Sequence, residues 1–384
     1  MVNTIQKGII DPSSMESSEV FVWVMMAALF AAALWVNVAT WVGAPVSTTH
    51  AVVGGVMGAG IAAAGFDVVN WTTMSAIAAS WVISPLMGGV IAAAFLAFIK
   101  SNIIYQEDKV AAAKRWVPLL VAIMAGVFSA YLIMKGLKKI WNPDAVTISL
   151  MALAIFALSY AIVRPIIARA AVGMENRNRS IRTLFTIPLI CSAALLSFAH
   201  GANDVANAVG PLAAIVGSSA SGAIDAKVGI PLWVMVIGAI GLSAGLFLFG
   251  PKLIRTVGEQ ITRMNPMRAY CVSLSAGITV LIASALGLPV SSTHIAVGAV
   301  FGVGFFREWD TERRSKALRA NLRTAKIHPE SNLPEKINES SLNRRKKLVR
   351  RSHFMTIIAA WIVTVPCAAL LAAGVFLLIS YFAG

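Results

Sequence analysis

The strongest constraint in this 384-residue chain is a succession of apolar stretches, many of them close to the length that crosses a bilayer. They run over 20–40, 42–65, 75–99, 117–134 and 146–167, and then over 184–199, 205–217, 232–250, 269–286, 290–306 and 354–382. A helix needs about 20 mostly apolar residues to span the hydrocarbon core. In lipid every backbone N–H and C=O must be paired within the protein, which leaves helices for a pattern of this length. The fold class predicted is all-α: a polytopic transmembrane bundle. Two stretches, 205–217 and 290–306, are short for a full span and are predicted as half-helices or re-entrant hairpins. Trp41, Trp71, Trp116 and Trp141 fall at segment edges, as interfacial anchors do. Glycines such as Gly54, Gly55, Gly58 and Gly60 are read as packing positions that let helices approach closely.

Charge supports the same reading. Charged residues make up 13% of the chain, against about 25% in a soluble domain. The net charge of +15 suggests nucleic acid until the charges are located. Residues 307–351 hold 14 Lys and Arg against 6 Asp and Glu, a net +8 between two apolar segments. A basic loop on the cytoplasmic face accounts for that excess, and no nucleic-acid partner is implied. Cys191, Cys271 and Cys367 each lie inside an apolar segment without motif spacing, so they read as buried hydrophobes. Residues 1–18 lack an apolar stretch behind a basic start, so membrane targeting is expected to come from the helices themselves.

The chain also repeats itself. Gly43-Ala-Pro-Val-Ser-Thr-Thr-His50 answers Gly287-Leu-Pro-Val-Ser-Ser-Thr-His294, and a Gly-rich apolar run follows each copy. The loop after the first copy, 66–73, has one Asp and no Lys or Arg, whereas the second copy leads into the basic loop. Equivalent loops of opposite charge belong on opposite membrane faces, the signature of an inverted-topology repeat. The expected division is 1–182, holding the first repeat with linking helices, and 183–384, holding the second repeat with a cytoplasmic loop at 307–352.

Chemistry concentrates in Ser197-Phe-Ala-His-Gly-Ala-Asn-Asp-Val-Ala-Asn-Ala-Val-Gly-Pro211. Between Thr183 and Ile224 the only formal charge is Asp204. A carboxylate at membrane depth costs several kcal/mol unless it faces a partner, a cation or water. Asn203 and Asn207 share a helical face, with Asp204 and His200 beside them. Gly201 on one side and Gly210-Pro211 on the other are expected to break the helix and free carbonyls. Carboxylate, amide and carbonyl oxygens make a hard-cation site; a structural polar knot or a protonated Asp204 is the other reading.

In the repeated motif, proline followed by hydroxyl residues marks a helix N-terminus. Free N–H groups and the positive dipole end favour an anion there. Ser47, Thr48 and Thr49, with Ser291, Ser292 and Thr293, add hydroxyl donors without fixed charge. One copy alone reads as ordinary capping; two copies brought together by an inverted repeat read as an anion site. His50 and His294 form a second tier with His200, able to titrate, to donate to an anion, or to pack as neutral rings. Arg164 and Arg169 are expected to snorkel to the interface. No P-loop, nucleophile elbow or metal-ligand cluster is present in the sequence.

These motifs, Gly201-Ala-Asn-Asp-Val-Ala-Asn-Ala208 and the paired Pro-Val-Ser-Ser/Thr-Thr-His strings, resemble the inorganic phosphate transporter (PiT) family over essentially the whole chain. The resemblance implies an integral protein of the plasma (inner) membrane that carries phosphate, free or as a metal–phosphate complex, in symport with Na+ or H+, with no other cofactor. It implies that Ser47, Thr48, Thr49, Ser291, Ser292 and Thr293 line the phosphate site with Asn203 and Asn207. Asp204, Asn203 and Asn207 are implied to hold the coupling cation. Members carry the Gly-Ala-Asn-Asp motif twice, and this sequence carries it once. The stretch from Thr4 to Pro12 loosely echoes that from Thr256 to Pro266, and Gly201 lies 55 residues before Thr256. The first copy is therefore expected upstream of Thr4, which predicts an N-terminally truncated member. Other readings are a sulfate permease of the same family, a non-transporting fragment, an anion channel, and an intramembrane enzyme using Asp204 and His200. Partners beyond phosphate are membrane lipid and a second copy in a homo-oligomer; the Asn176–Arg179 turn and the basic loop read as solvated cytoplasmic loops, with contact to anionic headgroups or soluble regulators as the other reading.

Overall fold

The computed structural model describes residues 4–44, 46–136, 143–222, 230–260, 264–327 and 351–383; Trp141 and residues 328–350 of the basic segment lie outside them. The longer helices in chain order are α1 (Ser18–Val42), α2 (Thr48–Ala64), α3 (Trp71–Ile99), α4 (Lys109–Gly136) and α5 (Ala145–Ala170), then α6 (Asn178–Leu184), α7 (Thr186–Ser221) and α8 (Leu232–Gln260). Helices α9 (Pro266–Ala285), α10 (Ser292–Ile327) and α11 (Arg351–Ala383) complete the set. Among the described residues, extended pairing is confined to one isolated bridge, Ile10 with Val69. Among the described residues, eight helices are long and apolar enough to cross a membrane, as the apolar stretches predict.

Local chemistry sets the helix ends. Ser17 caps α1 by accepting from the Val20 N–H, and Gly43, at φ 81°, ends it in the left-handed region that glycine adopts without strain. Gly287, at φ 75°, makes the matching turn after α9. Ser47 and Ser291 then accept from the N–H groups of His50 and His294, at 3.2 and 3.3 Å, starting α2 and α10. The two copies of the motif thus fold into the same device, a left-handed glycine followed by a serine-capped helix.

The helices that follow these turns exchange partners. Helix α2 packs on α11, and α10 packs on α3; α1 likewise lies on α11, and α9 on α3. The contacts are backbone to backbone. A Cβ on Gly54 would meet the Val365 carbonyl oxygen at 2.6 Å, and one on Gly58 would overlap the Ala369 carbonyl. In the second copy, Gly298 and Gly302 meet the Pro85 and Gly89 carbonyls in the same manner. The glycines are packing positions, as expected. By contrast α5 lies against α4 and α8 against α7, with most of their surface outward.

Three expectations are corrected. The Gly201 and Gly210-Pro211 positions do not interrupt the chain: α7 runs for 36 residues with Pro211 inside it. Pro211 leaves only the Asn207 carbonyl without its intrahelical donor, a smaller loss in lipid than unpairing a whole turn. The stretches 205–217 and 290–306 are not separate half-helices but parts of α7 and α10; α2, at 17 residues, is the short element. The basic segment begins as helix, since α10 continues to Ile327. Pairs four apart, Asp310 with Arg314 at 3.7 Å and Glu312 with Lys316 at 3.0 Å, support that extension. Trp41 and Trp71 are exposed at helix ends, as anchors should be, while Trp116 sits edge-on to Phe98 beneath Arg115.

Where α3 ends, Lys100 reaches Asp310 at 2.6 Å, and Tyr105 donates to the same carboxylate. Burial alone would raise the Asp310 carboxyl, but Lys100, Tyr105 and Arg314 hold it below the ordinary carboxylate value. A lowered folded-state value means stability that is present above about pH 4 and lost as pH falls through the folded value. Asp310→Ala is expected to cost on the order of 3 kcal/mol by leaving the half-buried Lys100 without its carboxylate. Thermal unfolding between pH 7 and pH 3 checks both: the wild type should lose stability on acidification, and the variant should lose less.

Candidate cation and anion site

The centre is assembled on one face of α7 and on the first turns of α2 and α10. Asn203, Asp204 and Asn207 are all buried, and so are Ser47, Thr49, Ser291 and Ser292; Thr48 and Thr293 are half-buried. Asp204 is the hub. The Asn203 amide nitrogen donates to its Oδ1 at 2.7 Å, and the Thr48 hydroxyl to its Oδ2 at 3.3 Å. From the other side the Ser292 hydroxyl lies 3.4 Å from both carboxylate oxygens. Thr48 and Ser292 are equivalent positions of the two motif copies, so one acid is gripped by matching hydroxyls from two helix N-termini. His200, one turn before Asp204, places Nδ1 2.6 Å from the Ser292 oxygen and 3.3 Å from Asp204 Oδ2.

The amides complete the shell. Asn203 Nδ2 also donates to the Val290 carbonyl at 2.9 Å, and Asn207 Nδ2 donates to Thr49 Oγ1 at 3.0 Å and, more weakly, to Thr48 Oγ1 at 3.4 Å. Thr49 passes the chain on to the Val290 carbonyl at 3.2 Å. With their nitrogens so committed, the Asn203 and Asn207 side-chain oxygens are left buried with no hydrogen-bond partner. Two orphaned amide oxygens beside a carboxylate are a donor set for a hard cation, which takes oxygen ligands. Buried polar atoms without partners are rare enough to ask what fills them.

The residues singled out in the sequence therefore divide. Asp204, Asn203, Asn207, Thr48, Thr49, Ser292 and His200 come together. Ser47 and Ser291 stand one residue away and spend their oxygens on capping. Thr293 hydrogen-bonds to none of these side chains. His50 and His294 turn away from Asp204 and meet each other edge to face, with ring centroids 4.3 Å apart. His50 lies against Trp81 at 3.7 Å and His294 stacks on Trp361 at 3.6 Å, forming a four-ring row. Trp81, Trp361 and the Val290 carbonyl were not anticipated. A signal for the tryptophans exists, since Trp81-Val-Ile-Ser precedes Pro85 much as Trp361-Ile-Val-Thr-Val precedes Pro366.

A buried acid, amides and hydroxyls enclosed by membrane-crossing helices, with helix N-termini aimed inward, mark this molecule as a multi-pass membrane transporter. Among known proteins, the Phosphate transporter family matches it over residues 1–372. A "Putative phosphate permease" of Helicobacter pylori is 45% identical, covering 99% of this chain and 79% of its own length. One from Pyrococcus abyssi is 33% identical over 98% of this chain and 83% of its own. A solved structure, "The sodium-dependent phosphate transporter", is similar with a TM-score of 0.82 at 30% identity, covering 99% of this chain and 84% of that one. The chain belongs to the phosphate transporter family. Family and structural neighbour are transporters, not enzymes.

Proposed function

We propose that the protein is a secondary transporter that moves inorganic phosphate together with a cation, sodium in the first instance. The carrying observation is the buried Asp204 carboxylate gripped by Thr48 and Ser292 from two helix N-termini. Phosphate would dock against those N-termini, where free N–H groups and hydroxyls favour an oxyanion. Ser47, Thr48, Thr49, Ser291, Ser292 and Thr293 supply the hydroxyls. Asp204 with the Asn203 and Asn207 side-chain oxygens would hold the cation, whose charge offsets that of phosphate and acid. Without that cation, bringing phosphate against Asp204 would place like charges together in a low-dielectric interior. Obligate coupling is the consequence. The sodium dependence of the structural neighbour supports sodium over a proton.

The exchanged packing of α2 with α11 and α10 with α3 supports two inverted repeats rocking about this centre, the arrangement by which such transporters alternate access. In this reading the protein lies in the plasma membrane with the basic segment at 307–352 on the cytoplasmic side. The test is uptake of labelled phosphate into proteoliposomes holding this chain, with and without an inward sodium gradient. Uptake is expected only with the gradient and is expected to resist a tenfold excess of sulfate. Uptake that follows an inward proton gradient alone would replace sodium by H+; uptake without any gradient would make the protein a channel. Complete competition by sulfate would make it a permease for tetrahedral anions in general.

A further inference from the structure

Away from Asp204, α3, α10 and α11 line a cavity of about 950 Å³ to which Asp204, Asn203 and Asn207 contribute nothing. Its lining runs along α10 from His294 to Trp309, a helical length of about 22 Å at 1.5 Å per residue. One leaflet of hydrocarbon is roughly 15 Å deep, so a slot of this length can take the acyl chains of one phospholipid. At one end lies the four-ring row. His50 and His294 are 3% and 1% exposed and line the cavity. Along the sides the slot is hydrocarbon: among the described residues, no Asp, Glu, Lys or Arg lines it. Its wall residues Val82, Leu86, Val90 and Ile362 are each more than 60% exposed, so it opens sideways. In a membrane, what lies to the side is lipid.

At the other end the chemistry changes. Arg313 lies over the Trp309 ring, with the guanidinium carbon 5.4 Å from its centroid, on the same helix that begins the +8 segment. An indole beside a cation, where the apolar part of a helix gives way to charged residues, is an interfacial anchor and attracts anionic headgroups. A hydrocarbon slot with a cationic mouth selects an amphiphile with apolar tails and a negative head.

We propose that the slot is a binding site for one anionic phospholipid, whose headgroup is held at Arg313 and Trp309 and whose acyl chains lie along Phe305 and Phe301 towards the ring row. Helices α3 and α11 form its two walls and belong to different halves of the molecule, so the seated lipid packs between parts that carry different copies of the motif. The site is independent of which ion or anion the polar centre takes.

The test is native mass spectrometry of the full chain, released from vesicles of equal phosphatidylglycerol and phosphatidylcholine. The wild type is expected to retain phosphatidylglycerol in preference to phosphatidylcholine. Val90→Trp and Ala93→Trp, which fill the slot from its outer wall, should each reduce retained lipid at least tenfold while eluting as single monodisperse species. Arg313→Gln, on the exposed face of α10, should keep lipid but lose the preference for phosphatidylglycerol. The proposal is overturned if the wild type retains no phospholipid, or only fatty acid, or only a second copy of itself. It is overturned equally if Val90→Trp holds as much lipid as the wild type, or if Arg313→Gln keeps the preference.

Discussion

Asp204→Asn is expected to lower sodium-driven phosphate uptake by about 100-fold or more while leaving the protein folded in the membrane. The substitution keeps shape and most hydrogen bonds. Asn203 can still donate to the side-chain oxygen that replaces Oδ1, and the new amide nitrogen faces the Thr48 and Ser292 hydroxyls and His200, which can accept. What disappears is the only formal negative charge in the cluster. Removing one partner of a buried charge pair costs about 2–5 kcal/mol, and each 1.4 kcal/mol is tenfold. The loss should fall on sodium dependence first, so raising external sodium should restore part of the uptake of Asn207→Ala but none of that of Asp204→Asn. Initial rates in proteoliposomes, normalised to inserted protein, decide it. An unchanged sodium dependence in Asp204→Asn would remove the acid from the coupling step.

A larger structural effect is expected at the glycines where α10 crosses α3. A methyl group on Gly302 would overlap the Gly89 backbone, and one on Gly298 the Pro85 backbone. A side-chain neighbour could rotate away; a backbone carbonyl inside a helix cannot, so the helices themselves must separate. Ordinary overpacking costs about 1–3 kcal/mol. Gly302→Val, and Gly58→Val at the matching contact with Ala369, should exceed that range and abolish recovery of monodisperse protein. Gly241→Ala on α8 is the control, since nothing lies within 4 Å of its Cβ position. It should leave recovery unchanged or raise the thermal midpoint slightly, because glycine in a helix interior costs about 0.5–1 kcal/mol relative to alanine. Loss of recovery in Gly241→Ala as well would argue that the bilayer, and not the α10–α3 crossing, sets this sensitivity.

How much of the fold was legible follows from what lipid demands. Apolar runs of sufficient length have few ways to pair their backbone, so the helices could be read one by one. Their ends were legible where a Gly and a Ser stand in the chain, as at Gly43 and Ser47, because those residues act over a single turn. Continuity was not legible. Gly201 and the Gly210-Pro211 pair mark helix breaks in a free chain, yet α7 passes through both, since its neighbours bury Gly210 against Ile5 and leave Gly201 unobstructed. The length of α10 was hidden for a similar reason: hydropathy falls at Arg307, but the pairs at Asp310 and Glu312 and the buried contact with Lys100 carry the helix onward.

At the site, sequence by itself determined the ingredients: one acid without a charged neighbour along its stretch, two amides on its helical face, and two serine-capped helix starts. Those are properties of residue type and spacing, and they hold whatever surrounds them. Only the tertiary structure decided the pairing. It set Thr48 and Ser292, 244 positions apart, on opposite sides of Asp204. It also joined His200 to Asp204 while turning His50 and His294 away towards two tryptophans. Consecutive residues of a helix face different directions, 100° apart, so which one meets the acid depends on how α2 and α10 are rotated against α7. That rotation is fixed by the glycine contacts with α11 and α3, which lie far along the chain from the residues they aim.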